Sequence, residues 1–254
     1  MFIILFSLIF LAAVSFGVMG LGSGIYYTPL LAWFGLDFVT EAVPLALLLS
    51  VFTGAGTAHT YHKCGHIHVK TSIMAAGAAF IGSPLGVLAL HRTPVGAVKI
   101  VLGILAFYVG IRALRKGEPV CHSERSYILN NGLTLFMGFL LGFFSALLGV
   151  GGGFLLTPVL LTCGYPTREA VGTASLVVTI GATNSFLFHL HSASFSPLMA
   201  VPLIIAVVVG AKLGGIWATR VAHPKTLRTV LASTIVLVAM GIGYDGVATL
   251  LRGG

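Results

Sequence analysis

Gly20-Leu-Gly-Ser-Gly-Ile-Tyr-Tyr-Thr-Pro-Leu-Leu31 recurs in the second half of the chain as Gly149-Val-Gly-Gly-Gly-Phe-Leu-Leu-Thr-Pro-Val-Leu160. Each copy places a glycine-rich break inside an apolar helix. Backbone left unpaired at membrane depth is tolerated only where it is buried in protein or lines a cavity, so two such breaks mark the core of a transporter. The register extends outward from the motif. Gly35 matches Gly164, Glu41-Ala-Val43 matches Glu169-Ala-Val171, and Gly82-x-x-x-Gly86 matches Gly210-x-x-x-Gly214, a spacing that lets helices approach closely. The one extended polar stretch, residues 115–127, reads as a linker. The expected fold is therefore an all-α polytopic membrane protein with an N-terminal repeat at 1–114 and a C-terminal repeat at 128–254. Each repeat is a four-helix unit opening with a re-entrant or discontinuous helix.

Composition requires a lipid setting. Hydrophobic residues make up 57% of the 254 residues, charged ones 8%, and the mean hydropathy is +1.05, which leaves too few charges to coat a soluble globule. Eight apolar runs are long enough to span a bilayer, while those at 25–36 and 154–164 are too short and follow the glycines directly as half-helices. Residues 2–19 lack the basic start of a removable leader and have a counterpart near residues 131–148, so they are read as part of the fold. The formal charge of +8 sits between apolar runs, as expected of cytoplasmic loops, and implies no nucleic-acid partner. Cys64, Cys121 and Cys163 have neither pairing number nor CxxC spacing.

Loop charges bear on how the repeats are oriented. With four full crossings per half, Lys and Arg divide almost evenly between the two sides. With a re-entrant hairpin opening each half, the repeats are inverted. Loop 61–70, linker 112–127 and loop 219–228 then share the cytoplasmic side, opposed by Arg92, Lys99, Arg168 and Arg252. The second arrangement is the expected one, with a fully crossing broken helix as its rival.

The substrate-binding candidates centre on the breaks. Gly22, Ser23 and Gly24, and Gly151, Gly152 and Gly153, can adopt positive φ and form an anion-binding nest at the start of a half-helix. Thr28-Pro29 and Thr157-Pro158 follow, where proline frees a carbonyl and threonine supplies a hydroxyl. Tyr26 adds a further group, and Thr173, Ser175 and Asn184 are polar residues in the next span. Lys212 lies deep in a later one, where a lysine needs an anion, an acid or an interface within reach. The plainer roles are tight packing for the glycines, a kink for the prolines, interhelical bonding for the polar residues and snorkelling for Lys212. His59, His62, His66 and His68 offer imidazoles without companion Cys, Asp or Glu, a weak metal signal. No metal, cofactor or catalytic set is expected, and no enzyme motif is present.

In Gly149–Leu160, in Ala170-Val-Gly-Thr-Ala-Ser-Leu176 and in the Gly82 and Gly210 helices, the chain resembles the TauE/SafE family of membrane permeases, the sulfite exporter family. The resemblance covers nearly the whole chain. It implies a duplicated polytopic protein of the cytoplasmic membrane that moves sulfite, sulfoacetate or related small sulfur-containing anions. The first half departs from the pattern at Ser23, at Tyr26-Tyr27 and at Pro44-Leu-Ala-Leu47, which stands where the second half has Gly172-Thr-Ala-Ser175. The second half is therefore expected to supply more of the ligand contacts. The expected function is export of such an anion by alternating access, with the anion held at the paired breaks. The alternatives are a divalent-cation permease using His59–His68 and a non-transporting membrane assembly factor; homodimer formation is left open.

Overall fold

In a bilayer every backbone N–H and C=O must be paired within the protein, and the apolar runs meet that demand as helices. The computed structural model describes residues 2–19, 23–115, 131–151, 153, 156, 157, 160, 165–220, 236, 239–241 and 243–251. The helices are α1 (Phe2–Met19), α2 (Gly24–Trp33), α3 (Val43–Lys63), α4 (Val69–Arg92), α5 (Val95–Arg115), α6 (Asn131–Leu148), α7 (Thr167–His189) and α8 (Pro197–Arg220). Residues 243–251 are also helical. Among the described residues no strand occurs.

Among the described residues four helices are long and apolar enough to cross a membrane: Phe38–Lys63, Val69–Arg92, Arg168–His189 and Pro197–Trp217. Of the eight runs counted in the sequence, the one at 226–250 lies partly outside the described residues. Within α1, α5 and α6 the apolar helical portions are the shorter Ile3–Gly17, Val95–Ile104 and Gly132–Leu148. The surface inverts the soluble pattern. On α4, Ile73, Phe80, Ile81 and Leu88 face outward, while Ser72, Gly82, Ser83 and Gly86 are buried. Lipid rewards that arrangement, because apolar side chains gain nothing by leaving it and small or polar ones gain partners.

Small residues set the helix pairs. A Cβ on Gly82 or Gly86 would overlap the carbonyl oxygens of Phe139 or Phe143, and one on Gly138 or Gly142 those of Ala75 or Ala79, so α4 runs parallel to α6 in backbone contact. On the other side of the molecule Gly210 meets the Phe10 carbonyl, Gly214 the Val14 carbonyl and Gly17 that of Ala211, so α1 runs parallel to α8. Between these pairs lie α3 and α7, which are antiparallel. Gly172 abuts the His66 carbonyl at one end, and the Ser194 N–H donates to the Thr40 carbonyl at 3.0 Å at the other.

A short π-helical turn, Phe38–Ala42, leads into α3. The Asp37 carboxylate caps it by accepting from the N–H groups of Val39 (3.1 Å) and Thr40 (2.8 Å) and from the Thr40 hydroxyl (2.8 Å). Glu41 accepts the Asp37 N–H in return at 2.9 Å, the reciprocal logic of a capping box. At the opposite end of α3, His68 meets Glu169 at 2.7 Å and Tyr165 edge-on at 5.0 Å between centroids. That contact corrects one element of the charge count. Glu169 and its neighbour Arg168 lie at the same end of the molecule as loop 61–70, so Arg168 belongs with that loop's charges and the imbalance deepens.

Candidate functional site

The two breaks meet each other. Gly24, the first residue of α2, packs so tightly on Gly149 and Val150 that a Cβ there would overlap the Gly149 carbonyl oxygen. The Thr28 hydroxyl donates to that same carbonyl at 3.1 Å. Gly149 and Gly151 both take φ of +70°, which an L side chain rarely adopts, and this reversal turns the chain at the end of α6. Gly153 is helical, with its N–H directed to the Gly151 carbonyl at 3.1 Å. Positive φ thus falls at Gly149 and Gly151, whereas Ser23 in the first copy is right-handed with φ of −80°.

A stripe of hydroxyls on α3 faces this junction. Ser50, Thr53 and Thr57 recur at helical spacing and are all buried. The Ser23 hydroxyl donates to Thr53 Oγ1 at 2.9 Å, Tyr27 Oη lies 3.1 Å from the same atom, and Thr53 in turn donates to the Leu49 carbonyl at 2.9 Å. Thr57 donates to the Thr53 carbonyl at 3.0 Å. Ser50 differs. Its Cβ and Oγ lie 3.1 and 3.3 Å from the position a Cβ would take on Gly151, and its hydroxyl is buried without a hydrogen-bond partner among the described residues. Thr157, one turn beyond Gly153, is buried with its hydroxyl equally unpaired among them. An unmade hydrogen bond on a buried hydroxyl costs about 1–3 kcal/mol, a cost that sites built to hold a ligand characteristically carry.

The sequence candidates divide accordingly. Ser23, Gly24, Thr28, Gly151 and Gly153 converge on or beside the junction, Thr157 is buried one turn beyond Gly153, and Pro29 is buried inside α2. Tyr26 is half-buried and turned toward Phe16, its ring centroid 6.3 Å away. Thr173 is engaged elsewhere: its hydroxyl accepts the His68 N–H at 3.0 Å, at the loop end of α7. Ser175 is buried and donates to the Val171 carbonyl at 2.6 Å, on the face of α7 that meets Gly54. Asn184 is half-buried, and Lys212 is exposed on α8, which suits the snorkelling role. Gly22, Gly152 and Pro158 lie outside the described residues.

Sequence reading passed over Ser50, Thr53 and Thr57 as contributors, and of the Tyr26-Tyr27 pair it is Tyr27 that reaches this network. The spacing of the three hydroxyls on one face of an apolar span was the available signal. The histidine set disperses: His59 and His62 are exposed on α3, while His68 turns to Glu169. Among the described residues no three His, Cys, Asp or Glu side chains gather as a metal cage.

An all-helical body with four membrane-length apolar helices and a buried polar junction between helix breaks defines a multi-pass membrane protein of the transporter kind. The chain belongs to the Sulfite exporter TauE/SafE family, whose profile matches residues 5–242. It is 24% identical to the probable membrane transporter protein YunE of Bacillus subtilis (strain 168), over 97% of this chain and 98% of that one. It is 29% identical to the probable membrane transporter protein YtnM of the same organism, over 87% and 76%. It is 25% identical to Sulfite exporter TauE/SafE family protein 6 of Arabidopsis thaliana, over 70% of this chain and 46% of that one. No solved structure matches.

Proposed function

We propose that the protein is a secondary transporter that exports small sulfur-containing anions, such as sulfite or organosulfonates, across the cytoplasmic membrane. The observation that carries this reading is a pair of buried hydroxyls without a hydrogen-bond partner among the described residues: Ser50, which lies against the positive-φ Gly151, and Thr157, one turn beyond Gly153. Hydroxyl donors and backbone amides at a helix start suit an oxyanion. The family name supplies the sulfur chemistry, and the names of the relatives supply transport.

The repeats 1–114 and 128–254, joined by 115–127, act as inverted halves related by a two-fold axis in the membrane plane, and the anion moves by alternating access. Two sets of contacts support this. The α4–α6 approach through Gly82 and Gly86 has its counterpart in the α1–α8 approach through Gly210 and Gly214, each pair joining one half to the other. The chain also enters α6 and leaves at Tyr165 on the same end of the molecule, since Gly138 packs on Ala75 and Tyr165 lies against His68. A re-entrant hairpin would enter and leave on one end in this way. With loop 61–70 in the cytoplasm, the inside-negative potential assists anion exit by ~2.3 kcal/mol per charge per 100 mV.

Ser50→Ala and Thr157→Val each remove a buried hydroxyl without a hydrogen-bond partner among the described residues, so the variants should melt at or above the wild-type temperature while sulfite or sulfoacetate efflux from proteoliposomes falls at least about tenfold, a rise of ~1.4 kcal/mol in the rate-limiting barrier. Efflux unchanged in both variants would overturn the assignment. Thermal-shift titration against sulfite, sulfoacetate, taurine, sulfate and divalent cations distinguishes an anion carrier from a cation permease or an assembly factor.

A further inference from the structure

A second buried polar track joins α4, α6 and α7 on the far side of the glycine turn. His189, the last residue of α7, is fully buried, and its Nε2 lies 2.7 Å from the Ala146 carbonyl oxygen. A carbonyl only accepts, so Nε2 carries the hydrogen and the neutral ring leaves its lone pair on Nδ1. Nδ1 is buried with no hydrogen-bond partner among the described residues. Ala146 stands in the last turn of α6, and the next carbonyl back, that of Ser145, accepts the N–H of Gly149 at 2.9 Å. His189 therefore caps the α6 end where the chain turns into the break.

The track has a wet end and a dry end. The ring of His91 on α4 lies 6.4 Å from that of His189, nearly parallel at 27°, and is exposed. One turn inward on α7, the Ser185 hydroxyl donates to Ser145 Oγ at 3.3 Å and lies 3.1 Å from Ser83 Oγ. All three serines are buried.

We propose that His189 is a proton-binding site, loaded from the aqueous face at His91, and that its occupancy is coupled to the anion at the glycine turn. The proton adds to the Nδ1 lone pair and comes from bulk water; no bond in the protein is broken. The resulting imidazolium lies at the carbonyl end of α6, where a helix favours positive charge. It also stands about one helical turn from Gly149, so it favours an anion there by Coulomb attraction through a medium that screens poorly. Of the groups packed around it, His91 is the titratable one that α4 presents. From α6 come the Ala146 carbonyl and the Ser145 hydroxyl, and from α7 itself Ser185. His191 lies exposed two residues on.

The coupling rests on the anion-transport reading, whereas the proton site does not, and two measurements separate them. In detergent, NMR of isotope-labelled imidazole nitrogens should show one buried histidine that takes up a proton as the pH is lowered, absent from His189→Gln. Glutamine retains an amide N–H for the Ala146 carbonyl and takes up no proton, so a merely structural cap would survive this change. In proteoliposomes clamped at zero potential, efflux of a sulfonate, whose own charge does not change over that titration, should vary about tenfold with pH in wild type and become flat in His189→Gln. His91→Gln should slow proton uptake at His189 without abolishing its titration. A His189 ring that does not titrate overturns the proton site. A titrating ring with identical pH profiles in wild type and His189→Gln overturns the coupling. If no sulfonate moves in any variant, the anion reading fails and the titration alone decides the proton site.

Discussion

Gly24 and Gly77 separate two kinds of glycine that composition alone cannot tell apart. At Gly24 a methyl group would overlap the Gly149 carbonyl and press on Val150, both backbone and unable to give way. Gly24→Ala should therefore cost about 1–3 kcal/mol and part the two breaks, read as a fall in melting temperature in detergent together with loss of efflux. At Gly77 nothing lies within 4 Å of the added carbon. Gly77→Ala should be neutral or stabilising by up to ~1 kcal/mol, because it only trims the freedom of the unfolded chain. Asp37 carries a pH-dependent counterpart. The Thr40 N–H holds its carboxyl below the usual carboxylate range, helped by the Thr40 hydroxyl and the Val39 N–H, while partial burial pushes the other way. A depressed folded pKa means that the cap's stabilisation is complete above the unfolded value near 3.9 and is lost as pH falls through the folded one. Asp37→Ala should cost about 0.5–2 kcal/mol at neutral pH, with the gap to wild type closing in acid as the wild type loses its own cap. A gap in melting temperature that stays constant down to the acid limit would refute the capping role.

At the scale of elements, the sequence was most legible where a physical demand repeats along the chain. Long apolar runs had to be helices, and Gly82-x-x-x-Gly86 and Gly210-x-x-x-Gly214 had to be close approaches, because nothing larger than hydrogen fits against a neighbouring backbone. Which helix each would approach was not legible, since a small-residue face states its need for a partner without naming one. The same limit hid Ser50, whose importance comes from lying beside Gly151, far away in sequence. Lys212 shows a related limit: its depth along a helix was readable, but the direction of its side chain, exposed on α8, was not. Lys99 shows the converse. Counted as a loop charge, it lies in α5 and reaches Asp245 at 2.7 Å, with its ammonium 5.7 Å from the centre of the Phe38 ring. The lysine side chain is 14% exposed and the aspartate 41%, so the two are unequal partners. Asp245→Asn strands the more buried charge and should destabilise by more than Lys99→Met, which leaves a carboxylate with access to water. A double-mutant cycle on thermal stability should return a coupling of order 1 kcal/mol. Equal costs from the two single changes would argue that burial does not set the asymmetry.

Across the whole molecule, the arrangement of α3 and α7 makes a prediction about sidedness that needs no substrate. The two helices are antiparallel, so Cys64, exposed just past the end of α3, shares an end with the His68–Glu169 contact, whereas Ser192 lies beyond the other end of α7 near Thr40. A chain with full crossings by every long run has no net charge bias to orient it. The hairpin arrangement places the Lys63, Lys70 and Arg168 end in the cytoplasm, and the weight of basic residues follows it. With Cys121 and Cys163 replaced by serine, Cys64 should react with a membrane-impermeant maleimide only in inside-out vesicles. In a background that also lacks Cys64, Ser192→Cys should react only in right-side-out ones. The same reagent applied at residue 252, as Arg252→Cys, distinguishes the two topologies directly, because the hairpin arrangement puts that position on the Ser192 side and the fully crossing arrangement puts it with Cys64. Labelling of Arg252→Cys from the Cys64 side would remove the proposed inverted repeat, leaving the contact of Gly24 with Gly149 to be explained without breaks that enter from opposite faces.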